Sequence, residues 1–336
     1  MDKKLLSIFL ALGSSLFASE QNRQIPPPPE YVEKQLAEAT KEYEEVAGVY
    51  KPWYAGPLLT PSPHIVPVGL LNIQPYYFFV DNKGKYNQDT HSQKIPHFIQ
   101  HNPAVVVQIG VLSNWVDFVI VPSYYINRQS GHSATGWADL PVGLGFQLLR
   151  ETPEHVAIEA GVQETIPIGK YDHLHADKGG IDGIGGGAWI TRINLNTGKV
   201  VYWITGHPMN TRLSFNYFCP AHAYVKGINA YGGDKETHGK VRVGQNFTGY
   251  LGLEFSLTQR WVLPLDVVYT YSSKTTFSGK TTAPVGGPFH DQLSLAPGLE
   301  YNLTENLGFL AGPWFSVWGR NSFDFISWIA TFEYTF

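Results

Sequence analysis

A single cysteine, Cys219, stands in 336 residues, so no intrachain disulfide can form and a disulfide-stapled secreted scaffold is excluded. Its expected role is a small apolar residue facing lipid. Charge is also scarce. Lys and Arg number 24, Asp and Glu 28, together 15% of the chain, for a net charge of −4. That balance offers no basic surface for nucleic acid. Beyond the first residues, no stretch approaches the ~20 consecutive apolar residues of a transmembrane helix. A chain of this kind that crosses a membrane must do so as a closed barrel, the other structure that satisfies every backbone group in lipid. What is plentiful fits that: aromatics make up 14% and glycine occurs 34 times, a mixture suited to curved strands and interfacial girdles.

The N-terminus reads as an export address. Met1-Asp2-Lys3-Lys4 is basic, Leu5 to Leu16 is apolar, and Phe17-Ala18-Ser19-Glu20 offers a small residue for cleavage. Residues 1–18 are therefore expected to be a signal peptide, too short to span a bilayer. No cysteine follows the cut, which argues against a lipoprotein. Residues 19–69 are expected to stay in the periplasm. Gln24 to Pro29 is a polyproline II stretch. Glu30 to Ala47 reads as one helix, because Val32, Leu36, Ala39, Tyr43 and Val46 form a narrow apolar stripe at helical spacing. Pro57, Pro61, Pro63 and Pro67 keep the following segment extended.

From Leu70 onward, period-two alternation recurs. It places strands near 70–81, 100–112, 115–127, 138–149, 155–167, 181–193, 209–227, 241–257, 261–272, 291–303, 307–318 and 323–336. Tight turns such as Thr304-Glu305-Asn306 alternate with longer polar connections, the rule for outer-membrane barrels. The piece Asn194 to Pro208 is long for a turn, so fourteen strands is an alternative count; ten is another. A repeat marks two hairpins: Gly252-Leu253-Glu254-Phe255-Ser256-Leu257-Thr258 is echoed by Gly298-Leu299-Glu300-Tyr301-Asn302-Leu303-Thr304. The last strand puts Ile326, Trp328, Ala330, Phe332, Tyr334 and the terminal Phe336 on one face. A terminal aromatic closing such a strand resembles the signal that the barrel-assembly machinery of Gram-negative bacteria reads, so Phe332, Tyr334 and Phe336 are expected to act in assembly.

The chain resembles the outer-membrane barrels of the "MetA-pathway of phenol degradation" type. Ser62-Pro63-His64-Ile65-Val66-Pro67-Val68-Gly69, before the first strand, is similar to that family's opening pattern. So is Gly136-Trp137-Ala138-Asp139-Leu140-Pro141-Val142-Gly143-Leu144-Gly145-Phe146, and Glu164-Thr165-Ile166-Pro167-Ile168-Gly169 looks like its strand end, with Ile in place of Thr. The likeness covers about residues 60 to 336. It implies transport of small, often aromatic compounds and assigns no catalytic residue.

Alternation assigns faces, and the inward ionisable residues show a pattern in depth. Asp117, Glu159, Glu254, Asp266, Glu300 and Glu333 fall in the half nearer the periplasm, with Arg212 as the inward base beside them. Lys226 and Arg242 are expected at the other end of the lumen. Three readings stand: a mutually satisfied polar interior, a cation-selecting constriction, or a socket for basic residues of the N-terminal segment. The outer half collects Tyr76, Phe78, Tyr125, Phe218, Tyr224, Trp314 and Trp318, either a path for apolar solutes or filling. Six carboxylates in one ring repel, so residues 48–69, led by Lys51, are expected to restrict the pore mouth.

Two other chemistries have a foothold in the sequence. Gly131-His132-Ser133-Ala134-Thr135-Gly136 suggests a lipase elbow but its last glycine is one place too far. His173 and His175, with Asp172 and Asp177, have the spacing of a weak divalent-metal site. The reading is therefore all-β: a transmembrane antiparallel up-and-down barrel of about twelve strands over 70–336 with an N-terminal periplasmic helix. It lies in the bacterial outer membrane with both termini periplasmic. Its partners are the bilayer, the assembly machinery and a small solute, with no cofactor. It is expected to be a narrow channel, since twelve strands lie between a filled barrel of eight and an aqueous one of sixteen. The alternatives are a plugged surface-interaction barrel and an outer-membrane lipid hydrolase.

Overall fold

The computed structural model describes residues 33–35, 38, 52–112, 114–204 and 206–336. The chain divides into two units, Met1–Val49 and Tyr50–Phe336. In the first, Glu33, Lys34, Gln35 and Glu38 are helical, and Lys34 lies 3.9 Å from Glu38 in an exposed i,i+4 pair. The expected signal peptide, the polyproline stretch and the rest of the expected helix lie outside the described residues.

The second unit is a closed barrel of twelve wall strands. They are β1 (Leu71–Tyr86), β2 (Ser92–Leu112), β3 (Val116–Ile120 continued by Tyr124–Gln129), β4 (His132–Trp137 continued by Leu140–Leu149), β5 (Ala157–Ile166) and β6 (Ile190–Ile204). Then follow β7 (His207–Pro220), β8 (Asn246–Ser256), β9 (Trp261–Ser272), β10 (His290–Pro297 continued by Leu299–Thr304), β11 (Leu307–Arg320) and β12 (Phe323–Thr335). Each pairs antiparallel with the next, and β12 returns to β1 from Asn72↔Thr335 to Lys85↔Phe323. Closure leaves no wall strand with an open edge. Burial is inverted relative to a soluble protein: Trp328 is 56% exposed and Phe332 41%, whereas Glu254, Asp266 and Glu300 are 0%. An apolar outside around a polar inside is the pattern that lipid demands of a barrel. Among the described residues no helix is long and apolar enough to cross a membrane.

Three expected boundaries are corrected. First, β6 runs to Ile204, so Asn194 to Pro208 is mostly strand and the fourteen-strand count fails. Its inward residues are amides, and a sequence such as Asn194-Leu195-Asn196-Thr197-Gly198 has the composition of a loop. Second, β3 and β4 continue past the expected loop and turn at Ser130-Gly131, whose φ angles are 48° and 84°. Two successive left-handed residues are what a tight hairpin turn requires. The stretch from Gly131 to Gly136 is thus hairpin, with no strand–turn–helix context. Third, β7 ends at Pro220 and β8 begins at Asn246. His222–Lys226, His238–Arg242 and Thr276–Lys280 form a separate small sheet at the end of the barrel that carries the longer loops. Ala223, Val225, Val241 and Ala188 make its own apolar core, packed by Tyr171, Tyr231 and Phe277.

The wall has one local interruption. β10 pairs with β11 at Leu295↔Phe315 and again at Leu299↔Ala311, with no pairing between. Pro297 and Pro313 lie there, and proline has no N–H for the ladder. Leu58 fills the gap from inside. It is fully buried among Ala296, Leu310 and Ile329, with Tyr76, Phe78 and Trp314 around it. Leu58→Ala is expected to destabilise the barrel by about 2–5 kcal/mol, because the rigid wall collapses little onto the vacated space. Urea unfolding from liposomes measures this, and a loss under about 0.5 kcal/mol would show that the contact is not structural.

Candidate functional site

Residues 52–68 run as a strap around the inside of the barrel at its short-turn end. Trp53 N–H bonds to the Gln259 carbonyl at 3.1 Å, and Asn302 Nδ2 holds the Trp53 carbonyl at 2.9 Å. Ala55 N–H donates to Glu300 Oε1 at 2.8 Å. Thr60 gives both its N–H (2.8 Å) and its hydroxyl (2.5 Å) to Asp266 Oδ1, and Leu59 N–H reaches Oδ2 at 3.2 Å. Across the lumen, Asn196 donates to the Ser62 carbonyl at 3.3 Å and Gln147 to that of Pro63 at 3.0 Å. Val66 N–H reaches Asp117 Oδ2 at 3.1 Å. The chain then bridges Gly110 through Val68 and enters β1. Five prolines, Pro52, Pro57, Pro61, Pro63 and Pro67, make this possible, since an extended strap exposes its N–H groups to the wall instead of using them internally.

The structure thus brings the expected acidic cluster together and gives each member a partner. Glu254 meets Arg212 Nε at 2.9 Å and accepts from Asn210 Nδ2 at 2.7 Å. The Arg212 Nε–H finds no directed hydrogen bond, so the contact with Glu254 is an ion pair of poor angle. Arg212 also packs against the strap, where a Cβ on Gly56 (φ 109°) would sit 2.9 Å from Nη1. Glu159 accepts from Asn194 (3.1 Å) and Asn196 (2.5 Å), Glu300 from Asn302 at 2.6 Å, and half-buried Glu333 from Asn72 at 2.6 Å. Thr60 and these asparagines were not marked by sequence reasoning. For three acids a signal existed: Asn302 lies two residues from Glu300 on its strand face, and Asn196 and Asn210 lie opposite Glu159 and Glu254. Lys51 lies outside the described residues, and the strap's contribution from 52 onward is backbone N–H rather than charge.

Other expected positions are corrected. Lys226, Arg242 and Tyr224 belong to the small outer sheet, where Lys226, Arg242 and Tyr224 are exposed; Pro220 ends the wall strand before them. Trp318 faces outward. A register shift between Leu293 and Ser294 sets it opposite Leu293, on the side of Tyr269, and such a bulge reverses every face beyond it. Arg320 lies over the Trp318 ring at 5.5 Å and pairs with Asp291. The remaining aromatics do not form one path. Tyr76 and Phe78 stack at 5.4 Å and join Trp314 around Leu58, while Phe218 and Tyr125 lie on other walls.

The opposite end narrows as well. The loop 167–189 folds over the lumen, with the Ile181 carbonyl held by buried Asn127 at 2.8 Å and with Ile181 and Ile184 buried. Asp139 accepts from Gly169 N–H at 2.9 Å and Gly186 N–H at 2.7 Å. Asp182 Oδ2 gathers Lys170 Nζ at 2.6 Å and His175 Nδ1 at 2.8 Å. That engages one of the two candidate metal ligands, and among the described residues no group of His, Cys, Asp and Glu is spaced for a metal. Burial opposes ionisation of Asp182, but the hydrogen bonds from Lys170 and His175 outweigh it and hold its carboxyl down at about 2. A depressed carboxyl contributes stability above its unfolded pKa and loses it as pH falls through the folded value. The loop is therefore expected to stay latched from neutrality to about pH 4 and to loosen towards pH 2. Hydrogen exchange in 170–182 should rise over that range, and Asp182→Asn should remove the dependence.

Beside the strap lies a cavity of about 530 Å³, lined by strap residues and by a wall that mixes Tyr76, Val106 and Val119 with Asp117, Glu159, Gln163 and Arg192.

No known family profile and no curated protein matches the chain. Among solved structures, an outer-membrane channel from Pseudomonas putida F1 superposes with a TM-score of 0.67, covering 83% of this chain and 100% of that one at 12% identity. The translocator domain of the autotransporter NalP from Neisseria meningitidis gives 0.42 at 11% identity, over 90% of this chain and 97% of that one. The toluene transporter TodX of P. putida gives 0.35 at 11% identity, over 88% and 97%. The first likeness shows the fold, that of bacterial outer-membrane barrels.

Proposed function

We propose that this chain is an outer-membrane channel for small aromatic or apolar solutes, held narrow by its own N-terminal strap. The observation that carries the reading is the cavity beside the strap, where Tyr76, Val106 and Val119 lie among polar side chains. A barrel serving only as a surface scaffold has no need of an internal space of about 530 Å³, a volume within the range of ligand sites. In this reading the short-turn end, the strap and both termini face the periplasm, as the export signal and the rule of short periplasmic turns imply. The resemblance to the phenol-degradation barrels and the fold shared with the P. putida F1 channel point the same way. Assembly by the barrel machinery through Phe332, Tyr334 and Phe336 belongs to the same proposal.

The test is passage. Liposomes carrying the full chain are expected to admit a one-ring solute that the bilayer itself retains, such as a phenyl glycoside, faster than protein-free liposomes. Planar bilayers should show small conductance steps. Absence of both, with a folded barrel confirmed by heat-modifiable mobility, would favour the surface-interaction reading instead.

A further inference from the structure

We infer that the lumen holds a binding site for a small aromatic carboxylate, built on Arg192. The inference rests on the channel reading and names the head group of its solute. Arg192 lies on the inward face of β6. Its Nε donates to Asn216 Oδ1 at 2.7 Å and its Nη1 to Gln163 Oε1 at 2.9 Å. The acceptors are themselves fixed. Asn216 Nδ2 donates to Ser214 Oγ at 2.9 Å, and that hydroxyl donates to Asn196 Oδ1 at 2.6 Å. Asn216 is 1% exposed and Ser214 0%. The guanidinium is therefore oriented by neutral groups. Among the described residues no carboxylate lies within ion-pair distance of it, in contrast to Arg212 beside Glu254.

A guanidinium keeps its charge and presents five donors in a planar fork. Two are used within the wall, and the side chain lines the cavity. Half-buried cations without a counter-ion are costly, and a fixed fork matches the two oxygens of a carboxylate. What surrounds it suits a ring. Phe218 lies with its centroid 5.9 Å from Arg192 Cζ, and Tyr76, Val106 and Val119 line the same cavity. Position along the strand adds a constraint. Glu159 is held by Asn194 and Asn196, two and four residues further on, about 7–13 Å at strand rise. An anionic head at Arg192 is thus kept above the acidic ring, with its ring in the apolar part of the cavity.

The experiment is calorimetric titration of the detergent-purified full chain with benzoate, benzyl alcohol and acetate. Saturable benzoate binding is expected, with acetate and benzyl alcohol each weaker because each lacks one half of the match. Arg192→Gln should weaken benzoate by at least about tenfold, the worth of a charge-assisted pair, and leave benzyl alcohol unchanged. Equal affinity for benzoate and benzyl alcohol, or unchanged benzoate binding in Arg192→Gln, would overturn the site. If that variant does not assemble, the comparison is read on Arg192→Lys, which keeps the charge and loses the fork; loss of benzoate affinity supports the site and no loss overturns it. Conductance separates the two proposals. Benzoate binding in a barrel that passes nothing would sink the channel and keep the site, while conductance without benzoate binding would do the reverse.

Discussion

Deleting Phe336, or replacing Phe332 and Tyr334 together with Asp, is expected to abolish assembly of the barrel. β12 is the strand that closes the wall. Leu71 N–H bonds to the Phe336 carbonyl at 2.8 Å and Phe336 N–H returns to Leu71 at 3.0 Å, so the terminal residue is the last stitch of the seam. Phe332 packs on Phe309 at 6.0 Å and Tyr334 on Phe336 at 5.2 Å, all on the outer face. A charge on the lipid face costs about 2–4 kcal/mol for Lys or Arg at the midplane, and less for Asp or near an interface. An unclosed seam costs more, because it leaves the edges of β1 and β12 unpaired in lipid. Heat-modifiable mobility and outer-membrane yield are the readouts. Normal values for either variant would mean that the seam closes without them.

Removing residues 19–66 should widen the channel and raise its preference for cations. The strap supplies N–H donors to Glu300, Asp266 and Asp117, and its chain occupies the lumen at that level. Without it the same carboxylates face water, and an acidic ring favours cations. A shorter deletion, 19–56, removes the contacts of Trp53 to Gly56 but leaves Leu58 to Val66 in place, so it should widen the channel less. Planar-bilayer conductance and reversal potential in a salt gradient give both quantities. Combining the longer deletion with Glu254→Gln, Asp266→Asn and Glu300→Gln should abolish the added selectivity while keeping the added conductance. A truncated barrel that assembles with unchanged conductance and selectivity would exclude the strap as the restriction.

Alternation alone was enough to read the barrel, because a wall with lipid outside and polar groups inside imposes period two on every strand. β8, β9 and β12 are the clear cases: Leu251, Leu263 and Trp328 are exposed, and Glu254, Asp266 and Ser327 are buried opposite them. The carboxylate cluster was legible for the same reason, since an inward face is fixed once its outward neighbours are apolar. β6 was read short because amides line its inner face, and an amide face lacks the contrast that alternation needs. Asn194 and Asn196, which fix Glu159, were lost with it.

Other features needed three dimensions. The small outer sheet joins strands from two different loops, a pairing between residues such as Val241 and Phe277 that local pattern does not encode. The bulge near Ser294 turned Trp318 outward, and a bulge leaves no trace in composition. The strap's role is decided by backbone N–H groups, which every non-proline residue carries alike; only the path of the chain shows that Ala55, Thr60 and Val66 meet Glu300, Asp266 and Asp117. The sequence by itself determined that this chain closes a barrel with an acidic interior, because burial against lipid is written in side-chain type. The tertiary structure decided what fills that interior, because hydrogen bonds between distant segments depend on position alone.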